Sequence, residues 1–422
     1  MYKRSKNLRV AILSCFSDPL APVGGREVGG VSIYVYELVK SLSKLGIAAD
    51  VFVRWDNRKA DEVAKLCKRG RVIRLKAGPR RFIPQEEIDT YTPEFIEHFL
   101  SFGRGKNLRY DLIHSHQYIS GRIGIQLKEI LKIPLIHTFH SLGKVKEQSK
   151  ISSGVAYERF DIEKRIMDKA NLIIATSPQE KHNIINLYNV DGENVSVIPV
   201  GVNLKRFSKI NRKQIRKELV LGLGKKIVLF AGRMDENKGA LTLIDAVKQI
   251  KDRYQTTYDD LELLIFSGDP RKTRRKEAIE ARFRKKLTLR IANKEIGNKV
   301  KLFPAVDQEK LHKYYAASNL VVIPSYYESF GMVAIEAGAT GVPVVASDTG
   351  GLQWVVQEGI TGFHADVGSG KDFAKKMVSI LEDEDIQRRM GENANVIASR
   401  KFDWNVIAKK ITEHYYKEIS QL

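Results

Sequence analysis

Short apolar runs rich in β-branched residues recur along the chain, and stretches of helical pattern separate them. Residues 9–14 read as a first buried strand. A loop ending in Val28-Gly29-Gly30-Val31-Ser32 follows, then a helix pattern over 33–45 that Gly46 stops. Residues 48–53, 72–75, 110–116, 134–141, 172–177 and 195–199 continue the series, with a helix over about 121–131. Strands alternating with helices imply a doubly wound parallel sheet, whose ligands lie beyond the carboxyl ends of the strands. Gly29, Gly30, His116, His140 and Ser177 all fall at such ends.

The alternation occurs twice, as expected of 422 residues, too many for one ordinary core. Pro199-Val200-Gly201-Val202-Asn203 closes the first half, and the basic stretch 205–217 reads as a linker. A second series begins at 226–230, with a loop over 231–239 and a helix over 240–250. Further strands are expected at 261–266, 300–303, 320–323 and 342–346, with a glycine turn at Asp348-Thr349-Gly350-Gly351-Leu352. Residues 372–400 read as helical. A last amphipathic helix over 404–416 carries Trp404, Ile407, Ile411 and Tyr415 on one stripe. The expected domains are 1–205 and 218–400, with 403–422 packing back on the first.

Three local patterns carry chemistry. In Ser325-Tyr326-Tyr327-Glu328-Ser329-Phe330-Gly331-Met332, continuing to Glu336, an apolar strand leads through a loop carboxylate into a helix. The free N–H groups and positive dipole end of that helix would seat a phosphate. The alternative is a solvated loop glutamate at 328 and a helix-surface glutamate at 336. In the loop 231–239, Arg233 and Lys238 would offer a diphosphate a fork and a point charge; the alternative is an ordinary basic loop. Gly29-Gly30 before a helix would let a backbone approach a phosphate, or would simply make a tight turn. The spacing is not G-x-G-x-x-G, which disfavours a dinucleotide cofactor.

The formal charge of +21 admits nucleic acid, an anionic membrane face or phosphorylated small molecules as partners. Its densest run, from Arg271 through Lys286, interleaves Glu277 and Glu280 at helical spacing and shows no aromatic interleaving of the kind that marks a nucleic-acid platform, so it reads as a solvated basic helix. No nucleic-acid partner is expected, and a peripheral membrane contact stays open. Two cysteines, Cys15 and Cys67, make neither a disulfide framework nor a metal site. The apolar run after the basic N-terminus is too short for a signal peptide, and none reaches a membrane span. A soluble, cytoplasmic protein is the expectation.

Taken together, Ala231-Gly232-Arg233, Lys238-Gly239, Glu328-Ser329-Phe330-Gly331 and Gly341-Val342-Pro343-Val344-Val345-Ala346 resemble a known pattern. It is that of the retaining glycosyltransferases with the GT-B fold, the large family holding sucrose-phosphate synthase, glycogen synthase-like enzymes and the mycothiol-pathway N-acetylglucosaminyltransferase. His114-Ser115-His116 and His137-Thr138-Phe139-His140-Ser141-Leu142 are most similar to the sucrose-phosphate synthase and mycothiol branch. The resemblance spans nearly the whole chain and implies two Rossmann-like domains facing a cleft. The first would bind the acceptor and the second the nucleotide-sugar donor. It implies that Arg233 and Lys238 hold the donor diphosphate, Glu336 the ribose and Glu328 a donor sugar hydroxyl. Phe330, Gly331 and Met332 would present backbone N–H groups, Gly29 and Gly30 would approach the phosphate, and His140 would touch the donor sugar. No tightly bound cofactor or metal is implied.

On the acceptor side, Arg159 matches the branch, and Ser141 stands where it has a threonine. Gln85 stands where a lysine clamps an acceptor phosphate, and Gln117 where a tyrosine is usual; Arg80 or Arg81 would have to substitute. The expected activity is transfer of a hexose, glucose first, from a nucleotide such as UDP to a small sugar or polyol, phosphorylated or not. Its rivals are a lipid-linked acceptor at a membrane surface and a GT-B sugar-nucleotide epimerase.

Overall fold

A computed structural model describes residues 8–21, 29–148, 157–267, 274–304 and 306–421, with the backbone alone at 85, 86 and 274–279. The chain divides into two compact units. One runs up to Gly201 and resumes from Trp404 onward; the other spans Val202–Asp403.

The N-terminal unit is built on strands β1 (Arg9–Leu13), β2 (Ala48–Arg54), β3 (Val63–Cys67), β4 (Gly70–Leu75), β5 (Leu112–His116), β6 (Leu135–Thr138), β7 (Leu172–Ala175) and β8 (Val195–Val197). Their order across the sheet is β3-β4-β2-β1-β5-β6-β7-β8. All neighbours are parallel except β3, an edge strand antiparallel to β4 that the sequence pattern missed. Its residues are half-buried or exposed, so it lacks the apolar signature of the central strands. The first helix spans Gly30–Lys44, starting three residues before the expected 33. The final helix, Trp404–Ile419, belongs to this unit, and Trp404, Ile407, Ile411 and Tyr415 are all buried in it.

The C-terminal unit holds β9 (Lys226–Gly232), β10 (Leu261–Ser267), β11 (Val300–Phe303), β12 (Leu320–Ile323), β13 (Val344–Ser347) and β14 (Gly362–Ala365). The sheet order is β11-β10-β9-β12-β13-β14, parallel throughout. Three expectations need correction. The stretch 205–217, read as a linker, contains a helix, Arg212–Glu218, capped by Asn211. Its Arg216 is buried and donates to the carbonyls of Ala317, Leu223 and Lys225, each at 2.9 Å. The helix expected over 372–400 is two, Gly370–Leu381 and Glu384–Lys401, because Asp383 caps the second by accepting from Ile386 N at 2.8 Å. The strand Gly362–Ala365 was not expected. The basic helix spans Arg274–Asn293, with Phe283, Leu287 and Ile291 buried and Arg282, Lys285 and Lys286 exposed. Arg271, Lys272 and the side chains of Arg274, Arg275 and Lys276 lie outside the described residues.

In both sheets the strand order reverses at a switch point, β1/β5 in the first and β9/β12 in the second. Crevices at such points are where doubly wound sheets bind ligands.

Candidate active site

In the C-terminal unit the loops after β9 and β12 lie side by side at the switch point. Asp235 organises the first. Its side chain accepts from Lys238 N at 3.2 Å and pairs with Arg233 Nε at 3.1 Å. Gly239 ends the turn at φ 67°, where a Cβ would stand 1.8 Å from the Pro324 carbonyl oxygen. That contact excludes every other residue. Asn237 stitches the two loops together. Its Oδ1 accepts from Tyr327 N at 3.1 Å, its Nδ2 donates to Tyr327 O at 3.0 Å, and its own carbonyl accepts from Tyr326 N at 2.8 Å. Across this seam Lys238 Nζ donates to Glu328 Oε2 at 2.6 Å. Arg233, paired with Asp235 on the same loop, is left 75% exposed.

The loop after β13 buttresses Glu328 from behind. Gly351 N donates to Glu328 O at 2.9 Å, and a Cβ on Gly350 would fall 2.2 Å from that oxygen. Gly331 caps the helix Met332–Ala339 with left-handed backbone, φ 106°, and no side chain caps it. Ala334 N donates to Gly331 O at 3.0 Å, which leaves the Met332 and Val333 N–H groups as the open ones of the first turn. The Phe330 ring is core, edge-on to Trp354 and Phe402, so only its backbone can serve a ligand. Glu336 is not a surface residue: it is 6% exposed. Tyr315 Oη donates to it at 3.0 Å and Gln308 Nε2 at 3.3 Å. Burial pushes its pKa up to about 7 against the pull of the Tyr315 hydrogen bond and the Arg206 charge. The hydroxyls of Ser267, Ser325 and Ser347, at the ends of β10, β12 and β13, are buried without a partner. They line the same carboxyl edge as unsatisfied polar atoms.

In the N-terminal unit the carboxyl edge carries a row of histidines. His114 shares hydrogen bonds with Tyr415 Oη at 2.7 Å and Thr138 Oγ1 at 2.9 Å. His137 Nδ1 meets Ser115 Oγ at 2.8 Å, and His116 Nδ1 meets His140 Nε2 at 3.0 Å. His140 sits past β6 at φ 62°. Burial lowers all of these pKa values, that of His140 to about 3, so the row is neutral. Among the described residues no group of His, Cys, Asp or Glu is placed to hold a metal.

Arg159 and Ser141 are brought together, with Arg159 Nη2 donating to Ser141 O at 2.9 Å and reaching Ser141 Oγ at 3.4 Å. The guanidinium lies over the Tyr118 ring at 4.7 Å, and its Nε is held by the fully buried Glu163 at 2.7 Å. Arg80 stacks 3.4 Å over Trp55 with its Nε buried and unpartnered, whereas Arg81 is exposed. No hydrogen bond or ion pair among the described residues joins either to Arg159. The organiser of their loop, missed in the sequence, is the buried Arg54, which donates to Pro79 O at 2.8 Å and Arg81 O at 2.5 Å. The side chain of Gln85 lies outside the described residues. Gly29 and Gly30 open the first helix, both exposed, and no described residue crowds a Cβ on Gly29.

Two doubly wound units, each with its site at a sheet switch point, are the components of a GT-B protein, and solved structures agree. Sucrose-phosphate synthase from Thermosynechococcus elongatus superposes with a TM-score of 0.88 and 34% identity, covering 98% of this chain and 100% of that one. HepE from Anabaena, solved in complex with UDP and glucose, gives 0.74 at 21% identity over 97% and 100% of the two chains, a likeness of fold alone. Residues 211–396 match the family described as glycosyl transferases group 1, and 28–206 match glycosyltransferase family 4. The D-inositol 3-phosphate glycosyltransferase of Corynebacterium glutamicum (strain R) is 32% identical over 420 residues, 98% of this chain and 97% of that one. That of Corynebacterium jeikeium is 33% identical over 414 residues, 97% and 96%. The chain belongs to the group 1 glycosyltransferases.

Proposed function

We propose that the protein transfers a hexose, glucose first, from a nucleotide diphosphate to a small phosphorylated sugar or polyol, with retention of configuration. The observation that carries the donor half is the Lys238–Glu328 pair, with Arg233 exposed beside it at the switch point. An incoming diphosphate competes with Glu328 for Lys238, is clamped by Arg233 and Lys238, and releases Glu328 to accept from a sugar hydroxyl. The open first turn of Met332–Ala339 offers N–H groups to the same ligand, and Glu336 accepts from the ribose. The acceptor half rests on Arg159, oriented by Glu163 and Tyr118 beside Ser141, as a seat for phosphate. Relatives named D-inositol 3-phosphate glycosyltransferase support a phosphorylated polyol.

In the same-face route, the bond from C1 to the donor phosphate oxygen breaks as the acceptor oxygen bonds C1 on that face. The acceptor's proton passes to the departing phosphate. Catalysis is then positioning plus leaving-group stabilisation by Arg233 and Lys238. With the leaving charge met by these cations, EDTA should leave the rate unchanged; its loss would assign that work to a metal. The test is a matrix of UDP-, ADP- and GDP-sugars against fructose 6-phosphate, inositol phosphate and glycerate, read by nucleotide release and product mass. Product abolished by Lys238→Ala and by Glu328→Ala supports the reading. Hydrolysis without an acceptor would discard the acceptor half.

A groove favours a peripheral membrane contact as a second property. A cavity of about 730 Å³ at the amino-terminal edge of the first sheet is lined by Phe99, Leu108, Ile130 and Ile133, with Arg104 and Arg109. No ion pair among the described residues engages these arginines, which suits a bilayer carrying anionic phospholipid. Phosphatidylserine vesicles should sediment the protein and phosphatidylcholine vesicles should not. Ile130→Asp should release it, and unchanged sedimentation would reduce the contact to bulk charge. No helix among the described residues is long and apolar enough to cross a membrane.

A further inference from the structure

The histidine row contains a choice of protons that the transfer reading leaves open. His116 Nδ1 and His140 Nε2 lie 3.0 Å apart, and both rings are neutral. A neutral imidazole has one N–H and one lone pair, so this contact locks the two tautomers to each other. Two arrangements satisfy it. If His140 donates from Nε2, then His116 carries its proton on Nε2, which is buried and has no partner among the described residues. That arrangement strands a buried N–H, the rarer and costlier orphan. If His116 donates from Nδ1, its Nε2 is a bare lone pair, and His140 carries its own proton on Nδ1. Nδ1 has no partner among the described residues, so His140 then presents a free donor. Of the buried atoms, the second arrangement leaves only an acceptor unsatisfied, since His140 Nδ1 is not among the fully buried orphans.

The row is propped from the far end of the chain. The Tyr34 ring stands edge-on to His140 at 4.8 Å, to His116 at 5.4 Å and to Trp404 at 5.1 Å. Trp404 opens the final helix. Tyr415, near the end of that helix, bonds His114, whose ring lies 4.3 Å from His116. The titratable groups facing the pair are Tyr34 from the first helix, His114 from β5, His137 from β6 and Tyr415 from the final helix. Glu180, on Pro178–Tyr188, acts on Tyr34.

We infer that His116 is a positioning residue that holds His140 as the Nδ1–H tautomer, a hydrogen-bond donor for the bound sugar or its leaving group, and that the final helix maintains this through Trp404 and Tyr415. The inference rests on the transfer reading for its role in turnover, but the tautomer itself does not.

The deciding experiment is a long-range 1H–15N spectrum of the full-length protein labelled at histidine, with His140 assigned by its loss in His140→Gln. The expected spectrum shows His140 protonated at Nδ1 and bare at Nε2, and His116→Leu should change that pattern. Kinetically, His116→Leu should lower kcat about 100-fold, the scale of a misplaced catalytic group, with nucleotide binding by calorimetry and thermal stability retained as the folding control. His116→Asn, whose amide N–H falls close to the position of Nδ1–H, should recover most of the loss, which a merely structural filler would not predict. Without the N–H that His116 donates to it, His140 Nε2 takes a proton more readily, so His116→Leu should gain an acid limb in kcat that the wild type lacks. Trp404→Leu should reproduce part of both effects. A His140 proton on Nε2 overturns the inference, as does a His116→Leu enzyme with unchanged kcat. If the wild type transfers no sugar at all, the transfer reading fails, and the spectrum still decides the tautomer.

Discussion

The two units reach similar positions at their sheet edges by different means. In the C-terminal unit the site is held by backbone. Gly239, Gly350 and Gly351 let one loop press on another, and Asn237 closes the seam with main-chain hydrogen bonds. In the N-terminal unit side chains hold side chains: His114 to Tyr415, His116 to His140, Arg159 to Glu163. A backbone-built site tolerates almost no substitution at its seams but fixes its ligand groups closely. A side-chain network can be retuned one residue at a time.

Substitutions can break that contrast, the largest effect first. Gly239→Ala should abolish nucleotide binding measured by calorimetry, because the added methyl meets a backbone oxygen at left-handed φ. Normal binding would show that the seam yields. Lys238→Ala should lower kcat by about 10²–10³-fold, the scale of losing one leaving-group donor, with folding unchanged by circular dichroism. Asn237→Ala should cost about 2 kcal/mol in denaturant unfolding by stranding the Tyr327 amide and carbonyl. By contrast Arg81→Ala, on an exposed side chain in the other unit, should leave stability within about 0.5 kcal/mol and alter only acceptor KM.

Glu336 sharpens the comparison through pH. Its folded pKa of about 7 lies above the ordinary 4.5, so the folded state holds the proton more tightly. Its share of stability is therefore fully present below the ordinary value and is lost as pH rises through about 7. In the proposed reading Glu336 accepts from the donor ribose as the carboxylate, so donor KM should rise as pH falls through about 7. Glu336→Gln should raise the melting temperature at pH 8, by up to ~3 kcal/mol of stability, while weakening the donor. A lower melting temperature would show that Tyr315 and Arg206 more than offset the burial cost.

How much of this could be read in the sequence follows from the same contrast. The glycine and cation spacing of the loop 231–239 is local, so the chain displays it directly, as it does the central apolar strands. Glu336 stands where a helix surface was the alternative reading, because what buries it comes from Tyr315 and Gln308 on another helix and, more distantly, Arg206. Arg54 and Asn237 carried no signal, since their work is to bond carbonyls and amides that acquire positions only in the fold. Nothing local pairs His114 with Tyr415, 301 residues away. The buried clamp at Arg216 was hidden for a related reason: in a chain of +21, one more cation in a basic stretch reads as solvated.

The central claim is retaining transfer from a nucleotide sugar held by the C-terminal unit. The most direct measurement is the anomeric configuration, by NMR, of the product formed from 13C-labelled UDP-glucose and inositol phosphate or fructose 6-phosphate. The account predicts an α-linked product from the α-configured donor, and none from Lys238→Ala. A β-linked product, or no turnover with any of the UDP, ADP or GDP donors, would contradict it.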